Sequence, residues 1–186
     1  GSWTKASPVT TTIAAADSGS GIAMYNFYDV NDEAEWKSSA SNATEAKAGA
    51  STKESLNPAV RDNAGNIALY GQLLTVKIDR TAVSLNTPDM GGYTSGNWTT
   101  TDVTAKLSTT PASNEILSGV TYYYQTGSTT PSAPTASNLG AWAEVGASAL
   151  NITGNTNTHY CCVAISGSGN VSNIQSATVL ICKHQQ

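Results

Sequence analysis

The sequence predicts an all-β protein that consists of two tandem β-sandwich domains. Three features of the 186-residue chain lead to this prediction. Apolar and polar residues alternate over short segments, which is the pattern of half-buried strands. Glycine, proline and asparagine separate these segments, as they do in proteins built from many short strands. One order of strands, aromatic residues and turns also occurs twice, and such a repeat determines the architecture.

The first repeated element is a strand that follows a Trp-Thr pair. Trp3-Thr4 precedes residues 9–13, and Trp98-Thr99 precedes residues 103–107. Because the side chains of a strand alternate between its two faces, we expect one face of each strand to be buried. The inward residues would be Val9, Thr11 and Ile13 in the first copy and Val103, Ala105 and Leu107 in the second.

The second repeated element is a strand rich in aromatic residues, which begins after a Ser-Gly pair. The pattern leaves open which alternate set of aromatic residues points inward, and a β-bulge would bury parts of both sets. A second tryptophan follows in each copy. The residues are Tyr25, Phe27, Tyr28 and Trp36 in the first copy and Tyr122, Tyr123, Tyr124 and Trp142 in the second.

The clearest match between the copies is a turn before the final strand. Residues 60–67 and 164–171 both contain a Gly-Asn pair, which supplies the positive φ angles that tight hairpin turns require. Apolar residues alternate after each turn. We therefore expect a final strand whose inward residues are Leu74, Val76 and Ile78 in the first copy and Ala177, Val179 and Ile181 in the second.

The joint between the copies lies near residues 77–82, so we place the first domain at residues 1–79 and the second at residues 80–186. The second copy has an additional strand at residues 82–86, and we expect the corresponding first strand of the first copy to be missing or to precede residue 1. Residues 43–55 are rich in Ala and Lys, which favours a turn or two of helix. Their counterpart, residues 143–152, has a strand pattern.

These motifs resemble those of bacterial immunoglobulin-like (Ig-like) repeats in large cell-surface proteins. The resemblance rests on the Trp-Thr and Ser-Gly pairs, on residues 62–66 and on the joint at residues 78–82. It implies two tandem immunoglobulin-like β-sandwich domains with a structural or accessory role. The chain departs from the family at Val83, where proline is usual, and at residues 166–168, where an acidic residue is usual.

Composition and charge restrict the partners and the compartment. Thirteen acidic and nine scattered basic residues give a net charge of −4, so we expect no nucleic-acid binding. The chain lacks a run of about 18 apolar residues, so no transmembrane helix is predicted. Charged residues make up 12% of the chain, against a usual share of about 25%. This uncharged, hydroxyl-rich composition indicates an extracellular protein, and the resemblance implies a secreted or cell-surface bacterial one.

An aromatic surface is the candidate binding site. A run of three tyrosines in one strand must expose at least one ring, because successive side chains point to opposite faces. That ring and a nearby tryptophan would form a binding face, although repetition of the tryptophans favours a structural role for them. The predicted binding residues are Tyr122, Tyr123, Tyr124 and Trp142.

One acidic segment is a candidate metal site. Asp29, Asp32 and Glu33 lie close together in the sequence beside Asn31, in a pattern that superficially resembles the calcium-ligating stretch of cadherin linkers. Calcium takes about six to eight oxygen ligands, so distant residues would have to contribute. The alternative is a solvated loop. We expect no cofactor, and calcium is the one ion that this pattern suggests.

All three cysteines lie in the second copy. Cys161 and Cys162 are neighbours in a predicted strand, so they face opposite sides, and we place Cys162 inward and Cys161 outward. Cys182 follows the inward Ile181 and therefore also faces outward. A disulfide between Cys161 and Cys182 is one prediction, and it requires Cα atoms within about 7 Å. Free thiols are the alternative.

The function predicted from these observations is non-catalytic. The two histidines, His159 and His184, lack an evident Asp or Asn that would orient them beside a cysteine nucleophile. We expect a spacer or adhesin stalk module of a secreted or surface-anchored protein, whose partners are the neighbouring domains of a longer chain. The alternative is an accessory module of an extracellular multidomain enzyme that binds a host or cell-wall glycan or protein.

Overall fold

The computed structural model describes residues 1–38, 43–135 and 137–183. Within these residues the regular structure consists of seventeen β-strands and four 3-10 helices of three residues each, which confirms the all-β prediction. None of the described helices is long and apolar enough to cross a membrane. The chain divides into two compact units, Gly1–Arg80 and Thr81–Gln186, which we call unit 1 and unit 2.

Unit 1 contains strands β1 to β8. These strands are β1 (Val9–Ile13), β2 (Ile22–Asn26), β3 (Lys37–Ser38), β4 (Ala43–Lys47), β5 (Thr52–Leu56), β6 (Ala59–Asp62), β7 (Ile67–Leu69) and β8 (Leu74–Ile78). One sheet has the order β3-β2-β6-β7, and two further pairs are β1-β4 and β5-β8. All of these pairings are antiparallel.

The core of unit 1 lies between the β1-β4 pair and the β5-β8 pair. Four buried side chains form it, namely Phe27, Leu56, Val76 and Ile78. Val9 and Ile13 of β1 pack against this cluster. Burial alternates along β1, and Val76 and Ile78 are the buried positions of β8. The predicted inward faces of these two strands are therefore confirmed.

Residues 43–55 form strands, so the predicted helical turns are wrong. Along β4 the residues alternate between half-buried and exposed, with Glu45 half-buried and Ala46 exposed. The segment pairs with β1 on one side of the core and with β8 on the other. Helix propensity is a weak preference that tertiary contacts can outweigh. Here the pairings with β1 and β8 outweigh it.

Unit 2 contains strands β9 to β17. These strands are β9 (Ser84–Leu85), β10 (Trp98–Thr99), β11 (Val103–Lys106), β12 (Thr109–Thr110), β13 (Val120–Gly127), β14 (Ala143–Val145), β15 (Ala149–Ile152), β16 (Thr156–Ser166) and β17 (Gln175–Ile181). The larger sheet has the order β10-β17-β16-β13-β14, and the remaining strands form the pairs β11-β15 and β9-β12. β10 and β17 are parallel.

The core of unit 2 lies between the five-stranded sheet and the β11-β15 and β9-β12 pairs. Val103, Ala105 and Leu107 are buried, as predicted. The strand predicted at residues 82–86 is confirmed as β9, and its Val83 and Leu85 contribute to the core. Side chains from both layers therefore meet in one β-sandwich interior.

A β-bulge in β2 determines which aromatic residue of unit 1 points inward. The pairing of β2 with β6 shifts near the start of β2, and Tyr25 then lies opposite Val60. In unit 2, Tyr122 lies opposite Ala164. Both tyrosines are buried, so the inward aromatic residue of one unit corresponds to that of the other.

The final strand pairs in the same register in both units. In unit 1, Thr52 of β5 lies opposite Ile78 of β8. In unit 2, Thr156 of β16 lies opposite Ile181 of β17. The inward isoleucine of the final strand therefore has a threonine partner in both units.

The turns before the final strands also share their hydrogen bonds. In unit 1 the backbone N–H of Asp62 donates to the carbonyl oxygen of Asn66 at 3.0 Å, and the N–H of Asn66 donates to Asp62 Oδ1 at 2.8 Å. In unit 2 the corresponding bonds join Ser166 and Asn170 at 2.9 and 3.0 Å. The glycine of each turn has the predicted positive φ. Serine thus replaces the acidic residue and the turn is kept.

Candidate functional site

The three tyrosines of β13 point to both faces of the sheet. Tyr122 is buried in the core of unit 2. Tyr124 is half-buried and packs against the same core, with its ring centre 6.3 Å from that of Tyr160. Tyr123 is half-buried in a second cluster on the opposite face. The tyrosine run therefore covers both faces of the sheet and does not present one continuous aromatic surface.

Trp142 lies at the centre of that second cluster. Its side chain is 6% exposed and covers Cys161 and Val163, with Tyr123 and Leu139 packed around it. Because neighbouring side chains cover the indole ring, it offers no open face to a sugar ring. The structural role suggested by the repeat accounts for Trp142, and also for the buried Trp36 of unit 1.

Trp98 has an exposed indole ring, unlike these two tryptophans. Its side chain is 63% exposed and borders a surface depression formed with Thr99, Thr100 and Cys182. The backbone of Trp98 pairs with Leu180 of β17. The repeat predicted a buried, structural side chain at this position, and the structure does not bear this out, because the indole ring of Trp98 faces solvent.

The structure separates Cys161 from Cys182. The residue opposite Cys161 in the neighbouring strand is Ser176, and Cys182 lies six residues farther along the chain, or about 20 Å at about 3.4 Å per residue. Cys161 is 1% exposed because Trp142 covers the face on which we expected solvent. The predicted disulfide is not formed, and all three cysteines are free.

Each carboxylate of residues 29–33 has its own hydrogen-bond or ion-pair partner. Asp29 Oδ1 accepts hydrogen bonds from the backbone and side-chain nitrogens of Asn31 at 2.9 and 3.0 Å. Asp32 Oδ1 accepts from a backbone N–H at the start of a 3-10 helix, and Glu33 forms an ion pair with Arg61. In the part of the chain that the structure describes, no three His, Cys, Asp or Glu residues are grouped to hold a metal ion. The segment is thus a structured loop.

His159 lies in β16, between Gly127 of β13 and Thr178 of β17. Its Nδ1 lies 3.1 Å from Thr178 Oγ1. The second histidine considered in the sequence, His184, lies outside the described residues.

An apolar groove opens at one edge of unit 1, and we call it the edge groove. Its volume is about 320 Å³. The segment 67–73 that borders it exposes four large apolar side chains, Ile67 at 49%, Leu69 at 56%, Tyr70 at 60% and Leu73 at 67%. Contiguous exposed apolar surface marks interaction sites in soluble proteins. The residues that line the groove include Ile13, Ala15, Pro58, Val60, Leu69 and Leu74.

The bordering strand, β7, is the last strand of its sheet. The backbone N–H of Tyr70 donates to the carbonyl oxygen of Pro58 at 2.9 Å. Because hydrogen-bonded positions alternate in an antiparallel pair, the backbone groups of Ile67 and Leu69 point away from β6. No described strand pairs with this outer edge, so it is open to another strand. The sequence signal for it was the unbroken apolar run at residues 67–70, which departs from strand alternation.

Comparisons with known proteins identify distant similarities of fold. No family model matches the chain, and no curated protein matches its sequence. A structure of Clostridium thermocellum CbhA fibronectin(III)-like modules is similar with a TM-score of 0.42 and 12% identity, over 100% of this chain and 94% of that chain. Domains 7, 8 and 9 of the S-layer protein SbsC give a TM-score of 0.35 and 12% identity, over 98% of this chain and 60% of that chain.

Proposed function

We propose that this chain is a non-catalytic spacer module of a secreted or surface-anchored bacterial protein, and that it transmits tension between the flanking parts of a longer chain. The observation that supports this proposal is a parallel backbone pairing in each unit. It joins the segment that carries the Trp-Thr motif to the final strand, and in unit 2 this segment follows β9. Both pairings involve the Trp-Thr motif of the repeat.

The pairing has the same form in the two units. In unit 1 the backbone N–H of Asp79 donates to the carbonyl oxygen of Thr4 at 2.9 Å, and the N–H of Thr4 donates to the carbonyl oxygen of Lys77 at 3.1 Å. In unit 2 the N–H of Cys182 donates to the carbonyl oxygen of Thr99 at 2.9 Å. The Trp-Thr motif is therefore hydrogen-bonded to the end of the final strand in both units.

Parallel pairing has a mechanical consequence. Neighbouring parallel strands run in one direction, so the chain enters the pair at one end and leaves it at the opposite end. A pull on the two ends then shears the strands past each other, and all of the hydrogen bonds between them are loaded together. An antiparallel hairpin pulled at its adjacent ends opens one bond at a time. A parallel pairing with the final strand therefore suits a module that has to resist extension.

Single-molecule force spectroscopy on the full chain, held at its two ends, tests this proposal. Thr4→Pro removes the N–H that donates to Lys77, so we expect one of the unfolding events to occur at a lower force. Thr4→Ala keeps this N–H and is the matched control, and unit 2 is the internal control in each molecule. Equal unfolding forces for the wild type and Thr4→Pro would contradict the proposal.

A further inference from the structure

The outer face of the five-stranded sheet in unit 2 is covered at one end and open at the other. At the covered end, Trp142 and Tyr123 pack over Cys161 and Val163. At the open end the sheet carries Trp98, whose side chain is 63% exposed. Among the described residues of unit 2, no other aromatic side chain is as exposed. This end of the face therefore presents an indole ring to solvent.

The strand register places polar side chains on the same face as Trp98. Residues that lie directly opposite each other in neighbouring strands share a face of the sheet. Trp98 lies opposite Leu180, and Leu180 lies opposite Asn157. Two residues earlier in β17, Thr178 lies opposite His159. Trp98 and Asn157 are two strands apart, or about 10 Å at about 4.8 Å per strand.

A shallow hollow, which we call the polar hollow, lies on this face. Its volume is about 450 Å³, and the residues that line it include Gly127, Ser128, Asn157, His159 and Thr178. Gly127 lies opposite His159 and has no side chain to fill the space beside the imidazole ring. The lining side chains carry hydroxyl, amide and imidazole groups, with no carboxylate, ammonium or guanidinium group among them. The polar hollow thus offers hydrogen-bond donors and acceptors without a charge of fixed sign.

The described chain turns away from this face after β17. The N–H of Lys183 donates to Asn155 Oδ1 at 2.6 Å, and its Nζ pairs with Asp102 at 2.5 Å. Asp102 directly precedes β11, which belongs to the opposite layer of the sandwich. The segment after β17 is therefore held toward that layer, and it does not cover the indole ring of Trp98.

We propose that this face binds a neutral polysaccharide built of equatorially substituted sugar rings, as in a β-linked glucan. One ring stacks on Trp98, and a neighbouring ring forms hydrogen bonds in the polar hollow. Equatorial hydroxyl groups leave axial C–H groups on the faces of such a ring, and these contact the negative face of the indole ring. The site adds binding to the proposed spacer function and does not depend on it.

The chemistry of the face favours a neutral sugar over other partners. A single exposed ring with polar neighbours is too small for the apolar centre that a protein–protein interface buries. A nucleic acid or another polyanion requires clustered cations, and the polar hollow has none. A flat apolar ring beside a few polar groups that fix orientation is instead the arrangement of a small-molecule site.

Affinity electrophoresis of the full chain tests the proposal. The native protein migrates through gels that contain increasing amounts of hydroxyethylcellulose, a neutral β-linked glucan, and its retardation gives a dissociation constant. We expect saturable retardation. Carboxymethylcellulose has the same backbone with added carboxylate groups, and we expect weaker binding because the polar hollow has no cation to pair with them. The absence of retardation by hydroxyethylcellulose, or tighter binding of carboxymethylcellulose, would overturn the proposal.

Three variants locate the site. Trp98→Ala removes an exposed ring and keeps the backbone pairing with β17, and we expect at least ~10-fold weaker binding. Asn157→Ala removes an exposed amide from the polar hollow, and we expect binding weaker by about 2- to 10-fold. Tyr70→Ala removes a similarly exposed ring from unit 1 and is the matched control, for which we expect wild-type binding.

Urea unfolding shows that each variant is folded before its binding is compared. Wild-type binding by a folded Trp98→Ala would overturn the proposal. If Trp98→Ala does not fold, wild-type binding by Asn157→Ala overturns it instead. Loss of binding in Tyr70→Ala alone would also overturn it, in favour of the edge groove as the site.

Discussion

The guanidinium group of Arg61 lies over the indole ring of Trp36, with its central carbon 4.7 Å from the ring centre. Its two terminal nitrogens donate to the two carboxylate oxygens of Glu33 at 2.8 and 3.0 Å. The indole N–H donates to the carbonyl oxygen of Val30 at 3.1 Å. One arginine on β6 therefore combines a cation–π contact with a bidentate ion pair and fixes the loop before β3.

Replacement of this arginine by lysine will destabilise unit 1. Lysine carries the same charge, but it lacks the planar fork that stacks on an indole ring and binds both oxygens of a carboxylate. We expect Arg61→Lys to lower the urea midpoint of unfolding, measured by circular dichroism. Glu33→Gln keeps the stacking contact and loses only the ion pair, so we expect a smaller decrease. An unchanged midpoint for Arg61→Lys would show that the geometry of this contact does not contribute.

Acid will weaken unit 1 through Glu45. Its carboxylate accepts a hydrogen bond from the Tyr28 hydroxyl at 2.9 Å and pairs with Lys37 Nζ at 2.8 Å. The hydrogen bond from Lys37 is the largest of the causes that lower the pKa of Glu45 below its ordinary value of 4.5. A carboxyl group whose pKa is lower in the folded state stabilises the fold above its unfolded pKa, and this stability is lost as the pH falls through the folded pKa.

We therefore expect the free energy of unfolding to decrease as the pH falls below about 4.5. Glu45→Gln cannot ionise, so this variant will show a shallower decrease. The measurement is urea unfolding at a series of pH values between about 3 and 7. Glu144→Gln, at an exposed position of β14, is the charge-matched control. The same pH dependence in wild type and Glu45→Gln would exclude a contribution from this carboxylate.

The local pattern of the sequence predicted the inward faces of the strands but not what covers their outer faces. Alternation alone identified Val103 and Ala105 as buried, because a strand has only two faces. The same argument placed Cys161 on the face opposite Cys162, yet it could not show that Trp142 covers this face. The segment that carries Trp142 approaches β16 through tertiary packing, and no local period in the sequence reports that approach.

The edge groove could not be predicted from the local sequence pattern for a related reason. The unbroken apolar run at residues 67–70 was visible in the sequence, but the residues that face it were not. Ala15 and Leu69 are far apart in the sequence, and only the fold brings them to the same groove.

Alanine at Gly167 will destabilise unit 2 through a steric clash. A Cβ atom at this position would lie 2.3 Å from the backbone oxygen of Ser118, and the N–H of Gly167 donates to the carbonyl oxygen of Gly119 at 3.1 Å. The turn would have to move away from β13. We expect Gly167→Ala to cost about 1–3 kcal/mol in free energy of unfolding, measured by urea denaturation. Gly140→Ala is the control, because its Cβ would meet no heavy atom within 4 Å, and we expect little change.

The three thiols will react at very different rates. Cys182 is exposed, whereas Cys161 and Cys162 are 1% and 4% exposed. Burial raises the pKa of the Cys162 thiol to about 11 and also raises the pKa of Cys161. Because the thiolate is the reactive form, both buried thiols have too little of it near pH 8 to react quickly, and the reagent also has poor access to them.

Titration with an aromatic disulfide reagent at pH 8 will therefore detect one fast thiol in the native chain and three thiols in denaturant. Cys182→Ser will remove the fast phase and leave two thiols in denaturant. A disulfide between Cys161 and Cys182 would instead give a single thiol in the denatured, unreduced wild-type chain. The count in denaturant thus decides between the free thiols of the structure and the bridge expected from the sequence, while the native count tests whether Trp142 protects Cys161.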